Sequence, residues 1–132
     1  MSHENVEVVR RAIIAMNERD LDGVMRDTDP EVEVDWSRSR GVEAGIYHGY
    51  QACRDFWSTF LEAFDRIVNS PEEFIECGEH VVIPIRTYLW GRDGIKVETR
   101  YAAVVSLRNG RILQWRLYQE SAEALKAVGL QE

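Results

Sequence analysis

The chain predicts an α+β fold, with helices leading and an antiparallel meander following. Three features predict it. From Val97 to Leu117 the residues alternate in character: Val97, Thr99, Tyr101, Ala103, Val105 and Leu107 share one face, and Glu98, Arg100, Ala102, Val104 and Ser106 share the other. Turn signals at Gly91-Arg92-Asp93-Gly94 and Arg108-Asn109-Gly110 break that region into hairpins. In the first third, by contrast, apolar residues recur at three- and four-residue steps, the period of a helix.

Ser2 is placed to cap a first helix running to about Arg19, with Val6, Val9, Ile13 and Met16 as its apolar stripe. Asp20 caps a short second helix, Leu21 to about Asp27, which Pro30 closes. Val32, Val34 and Trp36 alternate with Glu33 and Asp35 as a short strand, and Ser37 to Tyr47 reads as a loop. Gly49 opens a third helix with Cys53, Trp57, Phe60 and Phe64 on one face and Phe56 and Leu61 beside it. Asn69-Ser70-Pro71 reads as a turn. Four strands are expected after it: Glu73–Cys77, His80–Trp90, Ile95–Leu107 and Ile112–Tyr118. Ser121 caps a last helix, Ala122 to Val128, with Gly129 as its left-handed stop.

A three-residue turn at Arg108-Asn109-Gly110 sets Leu113, Trp115 and Leu117 beside Val105, Ala103 and Tyr101. The preceding hairpin adds Ile83, Ile85, Thr87 and Leu89. This long, almost uncharged face must be covered by helices or line a cavity. The opposite face carries Arg86, Tyr88, Trp90, Val104, Gln114, Arg116 and Tyr118; Tyr, Trp and Arg are types enriched in interface cores, and a homodimer through this face is expected.

The 132 residues are read as one domain, 1-132, large enough for a single core. A net charge of -7 without a basic stripe argues against nucleic acid as a partner. No apolar stretch reaches membrane-spanning or signal-peptide length, so no membrane partner and a cytoplasmic address are expected. Cys53 and Cys77 read as small buried hydrophobes, and His3, His48 and His80 lack metal-ligand spacing. No metal and no cofactor are expected.

Asn17-x-x-Asp20-Leu21-Asp22-Gly23, the inward strand ending at Trp36 seven residues past Asp29, Tyr47-His48-Gly49 before a helix, and the closing hairpin at Asn109-Gly110 resemble the SnoaL-like branch of the nuclear-transport-factor-2-like superfamily. The resemblance spans essentially the whole chain. It implies a cone: a curved antiparallel sheet wrapped around three N-terminal helices with a short C-terminal helix, an apolar pocket at the open end, and dimerisation through the outer sheet face. It does not imply one chemistry, because the same scaffold hosts ketosteroid isomerases, dehydratases, epoxide hydrolases, polyketide cyclases and non-enzymes.

Ketosteroid isomerases need a carboxylate base, a tyrosine and a protonated aspartic acid, as is well established for that enzyme. Carried onto this chain, the three positions fall on Trp36, Ala12 and Ala103, which argues against a standard ketosteroid isomerase. Candidate catalytic residues by analogy with the dehydratases and cyclases are Asp35, His48 and Tyr101. Strand parity turns Asp35 outward, and His48 reads equally as a loop histidine bonded to backbone. Arg100 with Glu98 and Arg86 resembles the epoxide-hydrolase cluster, yet the register sends all three outward.

What remains is an aromatic pocket for a small, largely apolar organic molecule. The expected ligand-binding residues are Met16, Trp36, Trp57, Phe60, Ile83, Ile85, Tyr101, Leu113 and Trp115. Two alternatives stand beside this reading: an isomerase, dehydratase or cyclase acting through His48, Asp35 and Tyr101, and a non-catalytic dimerisation domain.

Overall fold

The computed structural model describes residues 2–41 and 43–130, with side chains from residue 4 onward. Helix α1 (Ser2–Asn17) buries Val6, Val9, Ala12, Ile13 and Met16; its expected cap, the Ser2 side chain, lies outside the described residues. Arg19 turns left-handed at φ 59, which ends the helix, and Asp20 then caps α2 (Leu21–Met25) by accepting the Gly23 N–H at 3.0 Å. The second helix is shorter than expected because β1 begins at Thr28 and runs to Asp35. Pro30 lies inside that strand rather than before it. Between Thr28 and Glu33 the pairing of β1 is irregular, so the missing proline N–H is not needed there.

Two strands went unseen in the sequence. The first, β2 (Ile46–His48), pairs antiparallel with β1 and leads through Gly49, at φ 94, into α3 (Tyr50–Glu62). The second, β3 (Arg66–Pro71), is an edge strand against β5 (His80–Trp90), where a turn at Asn69-Ser70-Pro71 was expected. An edge strand tolerates a terminal proline, and the turn-like composition hid it. After these come β4 (Ile75–Cys77), β6 (Lys96–Arg108), β7 (Arg111–Tyr118) and α4 (Ser121–Ala127). The sheet runs β2-β1-β7-β6-β5-β3, with β4 also on β5. It is mixed, because β1 joins β7 in parallel.

The β6–β7 turn departs from the three-residue expectation. Arg108 pairs with Arg111, and Asn109 and Gly110 both take positive φ, 55 and 76, as a two-residue hairpin turn does. A bulge follows: Leu107 faces Ile112, Ser106 faces Gln114, and Leu113 is the extra residue. Trp115 therefore pairs with Val105 and Leu117 with Ala103, two residues along from the expected partners. A shift of two keeps their faces, so both stay inward. The bulge exchanges the two residues before them: Ile112 is buried in the core, and Leu113 is half-buried outside it.

The inner face packs on α1 and α3 to form the main core. Opposite it, α4 lies over the outer face, where Ala124, with Leu125 and Val128 beside it, covers Val82, Ala102, Val104 and Tyr118. This corrects the expected interface, since Val104 and Tyr118 are already buried under the chain's own helix. Gly129, at φ 89, stops α4, and the Leu130 N–H closes back on the Leu125 carbonyl at 2.8 Å.

Candidate functional site

Where β5 and β6 run past the end of α3, the inner face is left open. Thr87 and Leu89 of β5 face Thr99 and Val97 of β6, and a cavity of about 260 Å³ lies over them. Trp36 at the end of β1, Phe60 of α3, and Tyr101 and Leu117 complete the apolar wall. The rings meet mostly edge to face: Trp36 lies 6.1 Å from Tyr101 and 6.4 Å from Phe60 between centroids. The loop between β1 and β2 forms the rim with Ser39, Arg40, Gly41 and Glu43. It is held by Ser39 Oγ on Glu43 Oε2 at 2.9 Å, by the Tyr47 hydroxyl on the Glu43 carbonyl at 2.6 Å, and by Gln119 Nε2 on the Arg38 carbonyl at 2.6 Å.

The floor is polar, and its side chains are hydrogen-bonded to one another. The Asn69 N–H donates to Asn17 Oδ1 at 2.7 Å, Asn17 Nδ2 donates to the Asn69 carbonyl at 2.9 Å, and the Thr87 hydroxyl donates to Asn69 Oδ1 at 2.9 Å. Thr87 and the Tyr101 phenol both line the cavity. Burial pushes that phenol up to about 12, against the opposing pull of Thr87, so Tyr101 is neutral at physiological pH.

Of the residues expected in the pocket, Trp36, Phe60 and Tyr101 line it. Met16, Trp57, Ile83, Ile85 and Trp115 sit behind them in the closed core. Trp57 and Trp115 border a second void of only about 10 Å³, too small for an organic ligand. Leu113 lies outside both, displaced by the bulge.

The three candidate catalytic residues are not brought together. Only Tyr101 reaches the cavity. Asp35 faces the other way, as strand parity requires, and accepts from the Ser37 N–H (3.1 Å), the Ser37 hydroxyl (2.6 Å) and Arg38 (3.4 Å). Partial burial raises its pKa, but those hydrogen bonds and the Arg38 charge outweigh it and hold the carboxyl below its ordinary value. His48 stands beside Glu33 on the outer side at 3.6 Å, its side chain 70% exposed. The positions that would carry isomerase chemistry hold buried apolar side chains: Trp36, Ala12 and Ala103. Arg86 pairs with Glu98 and Glu72, and Arg100 with Glu72, all on the outer face.

Sequence reasoning missed Asn69 as a cavity-lining residue and Asn17 as the side chain that holds it. Asn17 appeared only as part of a motif, and Asn69 lay in the unseen strand. Leu89, Val97 and Thr99 were legible, since they occupy the same alternating face as Tyr101. Among the described residues no cluster of His, Cys, Asp and Glu could hold a metal ion, and no helix is long and apolar enough to cross a membrane.

None of the curated protein sequences matches the chain. Solved structures do. A nuclear-transport-factor-2-like protein of unknown function from Burkholderia pseudomallei superposes with a TM-score of 0.80 at 25% identity, covering 98% of this chain and 99% of that one. A Mycobacterium tuberculosis protein in complex with estradiol-17β-hemisuccinate superposes at 0.80 and 16% identity, covering 91% and 95%. TerC co-crystallised with polyporic acid superposes at 0.78 and 17% identity, covering 95% and 98%. The family model for the SnoaL-like domain matches residues 9–115, and the chain belongs to that family.

Proposed function

We propose that this protein binds a small, largely apolar organic molecule in the cavity between Trp36, Phe60, Leu89, Val97 and Tyr101. The observation that carries the reading is an open volume of about 260 Å³ with apolar walls and an anchored polar floor. An apolar cavity of ~150 Å³ takes up benzene, so this one suits a two-ring molecule. Orientation then comes from the few polar groups at the floor, which is how small-molecule sites are commonly built. Relatives that share the fold at low identity hold ligands, which is compatible with the reading without identifying the ligand here.

The reading favours binding over acid–base catalysis, because Asp35 and His48 lie on the far side of the sheet from Tyr101. Two free cysteines, Cys53 and Cys77, accord with a reducing cytoplasmic setting. Burial pushes the Cys53 thiol up to about 11, which leaves it unreactive.

Naphthalene-sized ligands should quench tryptophan emission and raise the melting temperature, since a ligand that binds only the folded state stabilises it. Unchanged emission and melting across a panel of such compounds would refute the proposal.

Self-association is a second part of this reading. Beyond the patch covered by α4, the outer face still presents Arg86, Tyr88, Trp90, Gln114 and Arg116, with the Tyr88 and Trp90 rings 6.4 Å apart. The protein should migrate as a dimer at micromolar concentration and Trp90→Glu as a monomer. Equal migration of the two would remove this interface.

A further inference from the structure

We propose that the free edge of β6, residues 95–99, receives the same edge of a second copy of this chain, the two strands pairing antiparallel about a two-fold axis at Val97. The contact extends the sheet sideways at the mouth of the cavity. It goes beyond the ligand-binding reading and is separate from the outer-face patch around Tyr88 and Trp90.

The free edge follows from unequal strand lengths. β6 has 13 residues and β7 only 8, and their pairing ends at Ala102 against Tyr118. β5 continues alongside β6 as far as Lys96, so residues 96–101 have a strand on one side only. In an antiparallel ladder, alternate residues turn both backbone groups to the same neighbour. The Gly91 N–H donates to the Ile95 carbonyl at 2.9 Å and the Leu107 N–H to the Glu79 carbonyl at 2.9 Å, so the odd-numbered residues of β6 bond toward β5. Pro84, opposite Ala102, fits that parity, since it has no N–H to give. The N–H and C=O groups of Lys96 and Glu98 therefore point away from β5, and among the described residues no backbone group pairs with them. Residues 96–100 are all exposed, and the large apolar side chains of Ile95 and Val97 are 61% and 49% exposed beside that open row. Such an edge is a template for another strand.

Charge complementarity selects the occupant. The free groups of both strands must face each other, so even-numbered residues have to oppose even-numbered ones. A two-fold at Val97 sets Lys96 against Glu98 of the second copy and Glu98 against its Lys96, two opposite-charge pairs on the outer face. On the inner face Val97 meets its own copy and Ile95 meets Thr99. The neighbouring registers fail. A two-fold at Lys96 sets lysine on lysine, and one at Glu98 sets glutamate on glutamate and Lys96 on Arg100. A two-fold at Thr99 runs Lys96 into Ala102, whose outward groups Tyr118 already holds. Of these four, the Val97 register alone is self-complementary. Both charged side chains stand exposed, Glu98 beside Arg86 and Lys96 over the Tyr88 ring. Val97 lines the cavity, so Val97 of the second copy stands beside its mouth.

Amide hydrogen exchange of the full chain, read by NMR at low micromolar and at near-millimolar protein, tests the contact directly. The Lys96 and Glu98 N–H groups should exchange about tenfold more slowly in the concentrated sample, while the Arg100 N–H, which the register leaves outside the pairing, stays fast. In sedimentation, Lys96→Glu or Glu98→Lys should each weaken association about tenfold, because two attractions become two repulsions. The double variant Lys96→Glu/Glu98→Lys should restore it. Equal, fast exchange at both concentrations would overturn the edge contact, even where Trp90→Glu still lowers the mass through the outer face. Should both amides be slow at both concentrations, Glu98→Lys decides: fast Lys96 exchange in that variant supports a tight edge pair, and slow exchange overturns it by showing that another part of the chain covers the edge. A double variant that associates no better than the single ones would overturn the Val97 register.

Discussion

The two ends of the β5–β6 hairpin have the same alternation and different fates. At the closed end, Val81, Ile83 and Ile85 face Val105, Ala103 and Tyr101, and all but Tyr101 are sealed under the helices. At the open end, Thr87 and Leu89 face Thr99 and Val97, and Val97 remains 49% exposed over the cavity. Nothing in the strand pattern separates the two. The difference lies in what covers them: the aromatic side of α3 ends at Phe60, and beyond it only the β1–β2 loop leans over the sheet. Periodicity identifies a face that must be hidden from water, whereas a site arises where the hiding is incomplete.

That contrast predicts unequal costs for comparable truncations. Trp115→Ala at the closed end should destabilise by about 3–5 kcal/mol, the usual range for removing a large buried aromatic ring. Leu89→Ala, in the wall of the cavity, should cost about 1 kcal/mol, because one side of the residue already faces empty space. Urea denaturation measures both, and equal losses would mean that the open end is packed like the core.

The smallest expected effect lies on the outer face. Asp35→Asn should leave ligand binding unchanged, since the carboxylate points away from the cavity, yet it should alter the pH dependence of stability. The folded-state pKa of Asp35 is held below its unfolded value of 3.8, so its contribution is present above that pH and disappears as the pH falls through the folded value. Melting curves of wild type and variant should therefore differ at pH 6 and converge under strongly acidic conditions. A difference that persisted there would assign the effect to packing rather than charge.

How much of this was legible beforehand depended on whether a residue's role is local. The α1 stripe, the Asp20 cap, the inward triplet Val32, Val34 and Trp36, and the β5–β6 register all follow from spacing and turn chemistry, and all are present. Ile112 and Leu113 exchanged places because a bulge adds one residue and reverses parity locally, and nothing in Arg-Ile-Leu-Gln announces it. The aromatic pocket was legible as composition but not as geometry. Trp57 and Trp115 carry the same apolar character as Trp36, and only the positions of α3 and the rim loop separate core from wall. The polar floor was least legible, because Asn17 and Asn69 meet across 52 residues of chain and one of them lies in a strand disguised as a turn.

The central claim is that one specific part of the inner face receives a ligand, and the four tryptophans report on it from different places. In a two-dimensional NMR titration of the indole N–H signals with 1-tetralol, Trp36, in the cavity wall, should shift most. Trp115, in the closed core, and Trp90, on the outer face, should stay in place. A largest shift at Trp90, or no shift at any indole while tetralol is in excess, would contradict the account.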